Sequence, residues 1–482
     1  MTSHTDSNEP QQASDGAERP SLDPSAETMR KLGYNLVDRL VDHLSTLGEQ
    51  KVAHRGSRSD FMSLVDEPIP RDGVGLANCL DFFFERVVPD LTLVNHPRFH
   101  GHIPCPSSFA GAMGEMLAAG TNPFGGSWLG GTTVAALELT VVRWIAEMLS
   151  FDPNVAGIFT SGGSTANLIA LAAAREKYGR DVMERGVIYV SREGHASIDK
   201  AAKILGFRSE CIRVVEVDEQ FRMRVDELES HVAVDREARL IPFFVAANAG
   251  TTNSGAIDPL SAVAQICKEH ELWFHVDGAY GGFAAAVPEL RGSFAGIDEA
   301  DSLTLDPHKW LYCPLGTGCV LVRDTDLLER TFTATGDYLK DLPEDEVNFL
   351  KRGPELSRPA RVLSVWAVLR SVGVDGIVTQ IREDLRLAQL AAELLSENEL
   401  LEVEGVGLSV VTFRHRRKAG ETEQSRGGRD DELMEATLAS GELMLSTTML
   451  AGKSTLRMVI MNHRTTERDV RRSVATIQKL TK

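Results

Sequence analysis

The chain has 482 residues, 43% hydrophobic and 25% charged, with 69 acidic against 51 basic side chains and a formal charge of −18. That length exceeds one ordinary core, so two or more domains are expected, and the composition is that of a soluble globular protein. The negative charge argues against nucleic acid or an anionic membrane as partner. Six cysteines, at 79, 105, 211, 267, 313 and 319, are scattered without metal-type spacing, which points to reduced thiols and a cytoplasmic protein. The polar N-terminus has no apolar core of a signal peptide, and no run approaches a membrane span.

Residues 1–25 are rich in Ser, Gln, Glu, Asp and Pro and read as a disordered tail. Beyond Ser25, Met29, Leu32, Leu36, Val37, Leu40, Val41 and Leu44 form one apolar stripe, predicting a helix buried against its own subunit or a partner. The segment from Asn95 to Ser108 carries His96, His100 and His102, but prolines break it and no carboxylate or thiolate follows at ligand spacing. A loop near a pocket is expected there, not a metal site. Helices are predicted over 110–119 and 132–149.

From residue 157 short apolar runs alternate with helices, the pattern of a mostly parallel α/β sheet. Strands are predicted at 157–160, 187–190, 240–246, 272–276 and 302–305, and a glycine turn at Gly316 leads into another. The stretch after Thr331 is acidic and punctuated by Gly336, Pro343, Gly353 and Pro354, so a long mobile segment is expected. A last region follows, with a helix over 376–395, strands near 408–413 and 455–461, and a helix over 466–480. The charged, Gly-rich residues 414–431 read as an exposed loop between strands.

The polar candidates fall just past strand ends, where open α/β sheets bind ligands. Ser161-Gly-Gly-Ser164, between a strand and a helix, has the shape of a phosphate cradle. Asp277 ends a strand and could hold a protonated pyridine nitrogen, with Ala279 small enough for a ring to lie flat. His195 could stack on a planar cofactor. Lys309, in Asp306-Pro-His308-Lys309-Trp310, sits in a tight turn after the strand 302–305, where desolvation would lower its pKa and make it a nucleophile towards carbonyls. Taken singly, each has a plain reading: a glycine-rich cap, an N-cap aspartate, a structural histidine, a solvated turn lysine. Their order is more specific. Cradle, stacking His, the Thr251-Thr252 pair, pyridine-partner Asp, then Lys thirty-two residues later are the parts of a pyridoxal phosphate (PLP) Schiff-base site.

Through Asp306-Pro-His308-Lys309-Trp310 and the motifs before it, the chain from about Met29 resembles the group II PLP-dependent amino-acid decarboxylases, most closely the aromatic L-amino-acid decarboxylase branch. The resemblance implies an α/β fold of PLP fold type I, aspartate-aminotransferase-like, and a homodimer with its active site at the subunit interface. It implies an N-terminal helical segment over 26–108 at the dimer interface and a large PLP-binding domain over 109–370, with 331–357 as mobile catalytic loop. A smaller C-terminal α/β domain over 371–482 would follow. Lys309 would carry the Schiff base, with His308 beside the phosphate, and Gly163, Ser164 and Ser302 would bind that phosphate. His195 would stack over the ring, Asp277 would pair with its nitrogen, Ala279 would pack under it, and Thr252 would contact the cofactor region. The reaction implied is loss of carbon dioxide from an L-amino acid, aromatic by branch, giving the amine. Cys105, where the family has threonine, and His195 would face substrate, and Arg98 is the candidate for meeting an acidic one. Decarboxylases of this kind carry a loop tyrosine that protonates the carbanion. Counting back from Arg358 without gaps puts Phe349 there, with Tyr338 the only tyrosine nearby, and phenylalanine at that site would imply an aldehyde synthase instead.

Overall fold

The computed structural model describes residues 22–334, 336–339, 342 and 345–481. Apart from residues 22–25, the tail expected over 1–25 lies outside them. The chain divides into two compact units. The first comprises residues 22–46 and 58–90. It holds the helix Ala26–Ser45, capped by the Ser25 hydroxyl, and the shorter helices Arg58–Val65 and Leu76–Phe82. None of these helices has a buried residue, although the sequence gives the first an apolar stripe. Residues 47–57 and 91–108 belong to the second unit, not to the N-terminal segment expected over 26–108.

The second unit is built on a seven-stranded sheet: β1 (Ala156–Thr160), β2 (Gly186–Ser191), β3 (Ile212–Val215), β4 (Ile241–Asn248), β5 (Trp273–Asp277), β6 (Ser302–Leu305) and β7 (Gly318–Val322). Their spatial order is β1-β7-β6-β5-β4-β2-β3. Only β7 runs against the rest, antiparallel to both its neighbours, so the other six strands end on one edge. The strands read as continuous apolar runs because both faces are covered. Along β1, Ile158 joins one core and Phe159 the other; Phe244 and Val245 split in the same way on β4. Period-two alternation thus feeds two cores from one strand.

A second sheet, in the order β10-β11-β9-β8, comprises β8 (Leu401–Gly407), β9 (Val410–His415), β10 (Ser446–Leu450) and β11 (Lys453–Val459). The helices Glu423–Ser440 and Glu467–Leu480 pack on it through Leu433, Val470, Val474 and Ile477. The 35-residue helix Val362–Ser396 serves both sheets and is broken at Gly373, whose φ is +69°. The domain boundary expected at 370/371 therefore falls inside this element.

Several expectations are corrected. Residues 414–431 are not an exposed loop: a helix starts at Glu423, and Arg414 and Asp430 are both fully buried, paired at 3.2 Å. Strands β3, β8 and β10 have no counterpart among the predicted elements. Two helices, Trp128–Met148 and Val362–Ser396, do hold stretches long and apolar enough to cross a bilayer. Each buries part of its apolar surface in the core, through Val141, Val142, Ile145, Val365, Val368 and Ile381.

Candidate active site

The common edge of the six co-directed strands carries a cavity of about 270 Å³, lined by residues from five segments. After β1, Ser161 to Thr165 turn into the helix Gly163–Tyr178. Gly162 makes that turn with φ at +141°, a conformation that suits glycine. A Cβ at Gly163 would lie 3.0 Å from an Asp306 oxygen and 3.1 Å from the Ala279 methyl, so the cradle floor is closely packed there. The free N–H groups of this first helical turn make the cradle an anion site.

Asp277 ends β5 and is buried. Its Oδ2 accepts from Asn167 Nδ2 at 2.8 Å and its Oδ1 from the backbone N–H of Ala279 at 3.1 Å. Across the cavity His195 is exposed and holds Ser197 through Nδ1 at 2.8 Å. Thr252 lines the wall after β4. The two walls are tied together: Asn253 Nδ2 donates to Glu193 at 2.9 Å, and the Thr448 hydroxyl donates to Asn253 Oδ1 at 2.7 Å.

Lys309 and His308 also line the cavity. Lys309 Nζ lies 3.0 Å from Asp306 Oδ2. Burial disfavours its charge, yet the Asp306 carboxylate, aided by Cys105 and Asp277, holds its pKa above the ordinary lysine value. The depressed pKa expected from desolvation alone is thus overturned by one adjacent carboxylate. His308 Nδ1–H donates to the Thr317 carbonyl at 2.8 Å, and burial lowers the pKa of its ring. The Cys105 thiol is pushed up to about 11 by burial, with Lys309 opposing and Asp306 reinforcing the shift, so it stays protonated.

The structure brings together Gly163, Ser164, His195, Thr252, Asp277, Ala279, His308 and Lys309 around one space. Four candidates do not line it, Cys105 among them, although that thiol is near enough to feel Lys309 and Asp306. Ser302 is fully buried on β6, where its hydroxyl contacts Trp273 Nε1 and His275 Nδ1, each at 2.8 Å, and it does not line the cavity. Arg98 is buried and spent on Asp469 at 3.3 Å and on the carbonyl oxygens of Glu442 and Gly48. Phe349 is fully buried against the sheet, in the turn Phe349–Lys351 that Leu350 N–H pins to the Gly126 carbonyl at 2.7 Å. His96 and His100 hold backbone carbonyls and a serine, with burial lowering each ring to about 4. Among the described residues no cluster could hold a metal. Asn167 and Asp306 were not singled out from the sequence. A polar residue inside the apolar run Ala166 to Ala174 was the available signal for the first.

This set fits pyridoxal phosphate. The cradle at residues 161–165 would take the phosphate, Asp277 the ring nitrogen and Lys309 the aldehyde carbon, while Asp306 Oδ1, buried without a partner, marks unspent polarity beside the cradle. A family model described as the pyridoxal-dependent decarboxylase conserved domain matches residues 60–416. The chain is 37% identical over 466 residues to an aromatic-L-amino-acid decarboxylase of Bacillus atrophaeus, covering 95% of this chain and 97% of that one. A phenylacetaldehyde synthase of Arabidopsis thaliana is 31% identical over 469 residues, covering 94% and 96%. In structure, Oryza sativa TDC solved with PLP and tryptamine superposes with a TM-score of 0.91 at 26% identity, covering 96% of this chain and 99% of that one. The chain belongs to the pyridoxal-dependent decarboxylase family: it is a PLP-dependent amino-acid decarboxylase of the α/β fold type I.

Proposed function

We propose that this enzyme removes carbon dioxide from an aromatic L-amino acid and releases the arylalkylamine. The observation that carries it is the convergence of Lys309, Asp277 and the cradle on one cavity, in a chain 37% identical to an aromatic-L-amino-acid decarboxylase. Bound pyridoxal phosphate supplies an electron sink for the pair left on the α-carbon. Asp277, its two oxygens engaged by Asn167 and by the Ala279 N–H, would meet the ring nitrogen. The cradle would hold the phosphate, and the exposed imidazole of His195, on the same cavity, would cover the ring. Lys309 is the covalent anchor, with the Asp306 carboxylate 3.0 Å from its amine.

An acidic substrate finds no support at Arg98, which is already neutralised by Asp469. Phe349 is committed to the core, and Tyr338, the tyrosine near it in sequence, is the candidate for the loop phenol that returns a proton to the α-carbon. The aldehyde-synthase alternative keeps one support, the 31% identity to a phenylacetaldehyde synthase. The exposed apolar side chains of the first unit, Met29, Val41, Phe82 and Phe83 among them, favour a homodimer that covers them.

The test is to incubate holoenzyme with each L-amino acid and quantify carbon dioxide, amine, aldehyde and hydrogen peroxide. Amine with equimolar carbon dioxide from aromatic substrates is expected. Aldehyde with peroxide would replace this reading by the alternative. The Lys309→Ala protein should lack the visible absorbance of the lysine–cofactor adduct, and a persisting band would remove Lys309 from its role.

A further inference from the structure

The polar groups behind Asp277 form a chain whose direction is fixed at both ends. Trp273 Nε1 can only donate, and it meets Ser302 Oγ at 2.8 Å. The Asp277 carboxylate can only accept, so the group facing its Oδ2 at 2.8 Å is the amide nitrogen of Asn167. The carbonyl oxygen of Asn167 therefore faces His275 Nε2, 3.0 Å away, and that nitrogen carries a proton. Burial lowers the His275 ring to about 4, leaving it neutral with one N–H. Its Nδ1 must then accept, and the Ser302 hydroxyl donates to it at 2.8 Å. On the other side, the second amide hydrogen of Asn167 goes to Ser197 Oγ at 2.8 Å. The Ser197 hydroxyl proton is left for His195 Nδ1 at 2.8 Å, where the Ser197 backbone N–H also points at 3.3 Å. From Trp273 to Ser197 every hydrogen of the chain has an acceptor.

We infer that Asn167 and Ser197 are positioning residues which, as branch and end of this one-way chain, set the plane of Asp277 and make Nδ1 of His195 an acceptor, so that its ring proton sits on Nε2. Ser302 and His275 form the fixed root of the chain. The imidazole of His195 thereby offers a donor, not a lone pair, to whatever approaches Nε2. Asp277 is prevented from rotating, because both its oxygens are engaged from fixed directions.

The inference rests on the roles given to Asp277 and His195, but its readout needs no turnover, so it fails or holds apart from the reaction assigned. Holoenzyme labelled with 15N in the histidine rings is examined by two-bond 1H–15N correlation at alkaline pH. Both His275 and His195 should appear as Nε2–H tautomers. Asn167→Leu removes the acceptor of His275, whose proton should move to Nδ1 and turn towards Ser302, two residues from the substitution. Ser197→Ala should leave His275 unchanged, let His195 populate both tautomers, and lower kcat by about tenfold, with Ser197→Thr restoring both properties. An Nδ1–H form of His275 in the unsubstituted holoenzyme overturns the direction of the chain. So does an unmoved His275 in Asn167→Leu. Should that variant fail to fold, the unsubstituted spectrum and the Ser197→Ala and Ser197→Thr pair decide: a His195 tautomer indifferent to the hydroxyl ends the proposal.

Discussion

The cofactor cradle is held from behind by one glycine, and adding a single methyl there gives a calculable insult. Gly318 opens β7 opposite Thr160 of β1. A Cβ at Gly318 would stand 2.5 Å from both Cα and C of Gly162, and 2.6 Å from the Thr160 hydroxyl oxygen. Ordinary contact starts near 3.4 Å, so the shortfall is about 0.9 Å, and it is against backbone that cannot swing aside. Gly162 has little freedom of its own, since its φ of +141° lies where few residues can follow. Gly318→Ala should therefore displace the Ser161 to Ser164 turn by most of that distance. Overpacking of this kind costs about 1–3 kcal/mol, and a misplacement near 1 Å at a bound group costs on the order of 10²-fold in rate. The assay is spectral titration of apoenzyme with PLP, followed by kcat/KM for amine formation. Gly292→Ala, with nothing within 4 Å of its added Cβ, is the control. If Gly318→Ala matched that control in cofactor affinity and in kcat/KM, the rigid contact between β7 and the cradle would be wrong.

Three further outcomes are expected. Tyr338→Phe should divert product from amine to aldehyde, with oxygen consumption and peroxide appearing together; an unchanged amine yield would exclude Tyr338 as proton donor. Arg358→Met should lower stability by about 3–5 kcal/mol, read as a lower urea midpoint, because Glu138 would stay buried with its 2.8 Å partner gone. Adding Glu138→Met should recover part of the loss, and a single variant as stable as wild type would contradict the pairing. Burial raises the Asp384 carboxyl from its ordinary 3.8 to about 7. Between those values the folded protein binds the extra proton, so this group's contribution favours folding least above pH 7 and is lost as pH rises through it. Asp384→Asn should accordingly flatten the fall in urea midpoint between about pH 4 and 7, and an unaltered slope would assign that fall to other groups.

The large sheet was legible because strands buried on both faces spell themselves out as apolar runs: β6 begins and ends where the sequence placed it, and β1 and β5 within one residue. The site residues at strand ends followed from the same pattern. What failed was whatever depended on partners distant in sequence. Arg414 and Asp430 looked like surface charge, since nothing local says that each neutralises the other in a core. Ser302 was given a phosphate by its motif, but parallel pairing of β6 with β5 sets it opposite His275, and the hydroxyl is consumed there. Phe349 came from a gapless count, which cannot register that the side chain already fills a hydrophobic slot. The lysine reading weighed desolvation and overlooked a carboxylate one helical turn away.

The broken helix Val362–Ser396 belongs to two hydrophobic interiors at once, giving Val365, Val368 and Ile381 to one and Leu387, Ala391 and Leu395 to the other. Between those groups its Asp384 takes hydrogen bonds from Trp310 and Tyr312, neighbours of Lys309, at 3.0 and 2.8 Å. Neither interior can come apart alone without stripping the other of a wall, so a single melting transition should govern both. The final hundred or so residues are then no detachable accessory: a fragment cut at the interruption would lose the strut that steadies the lysine.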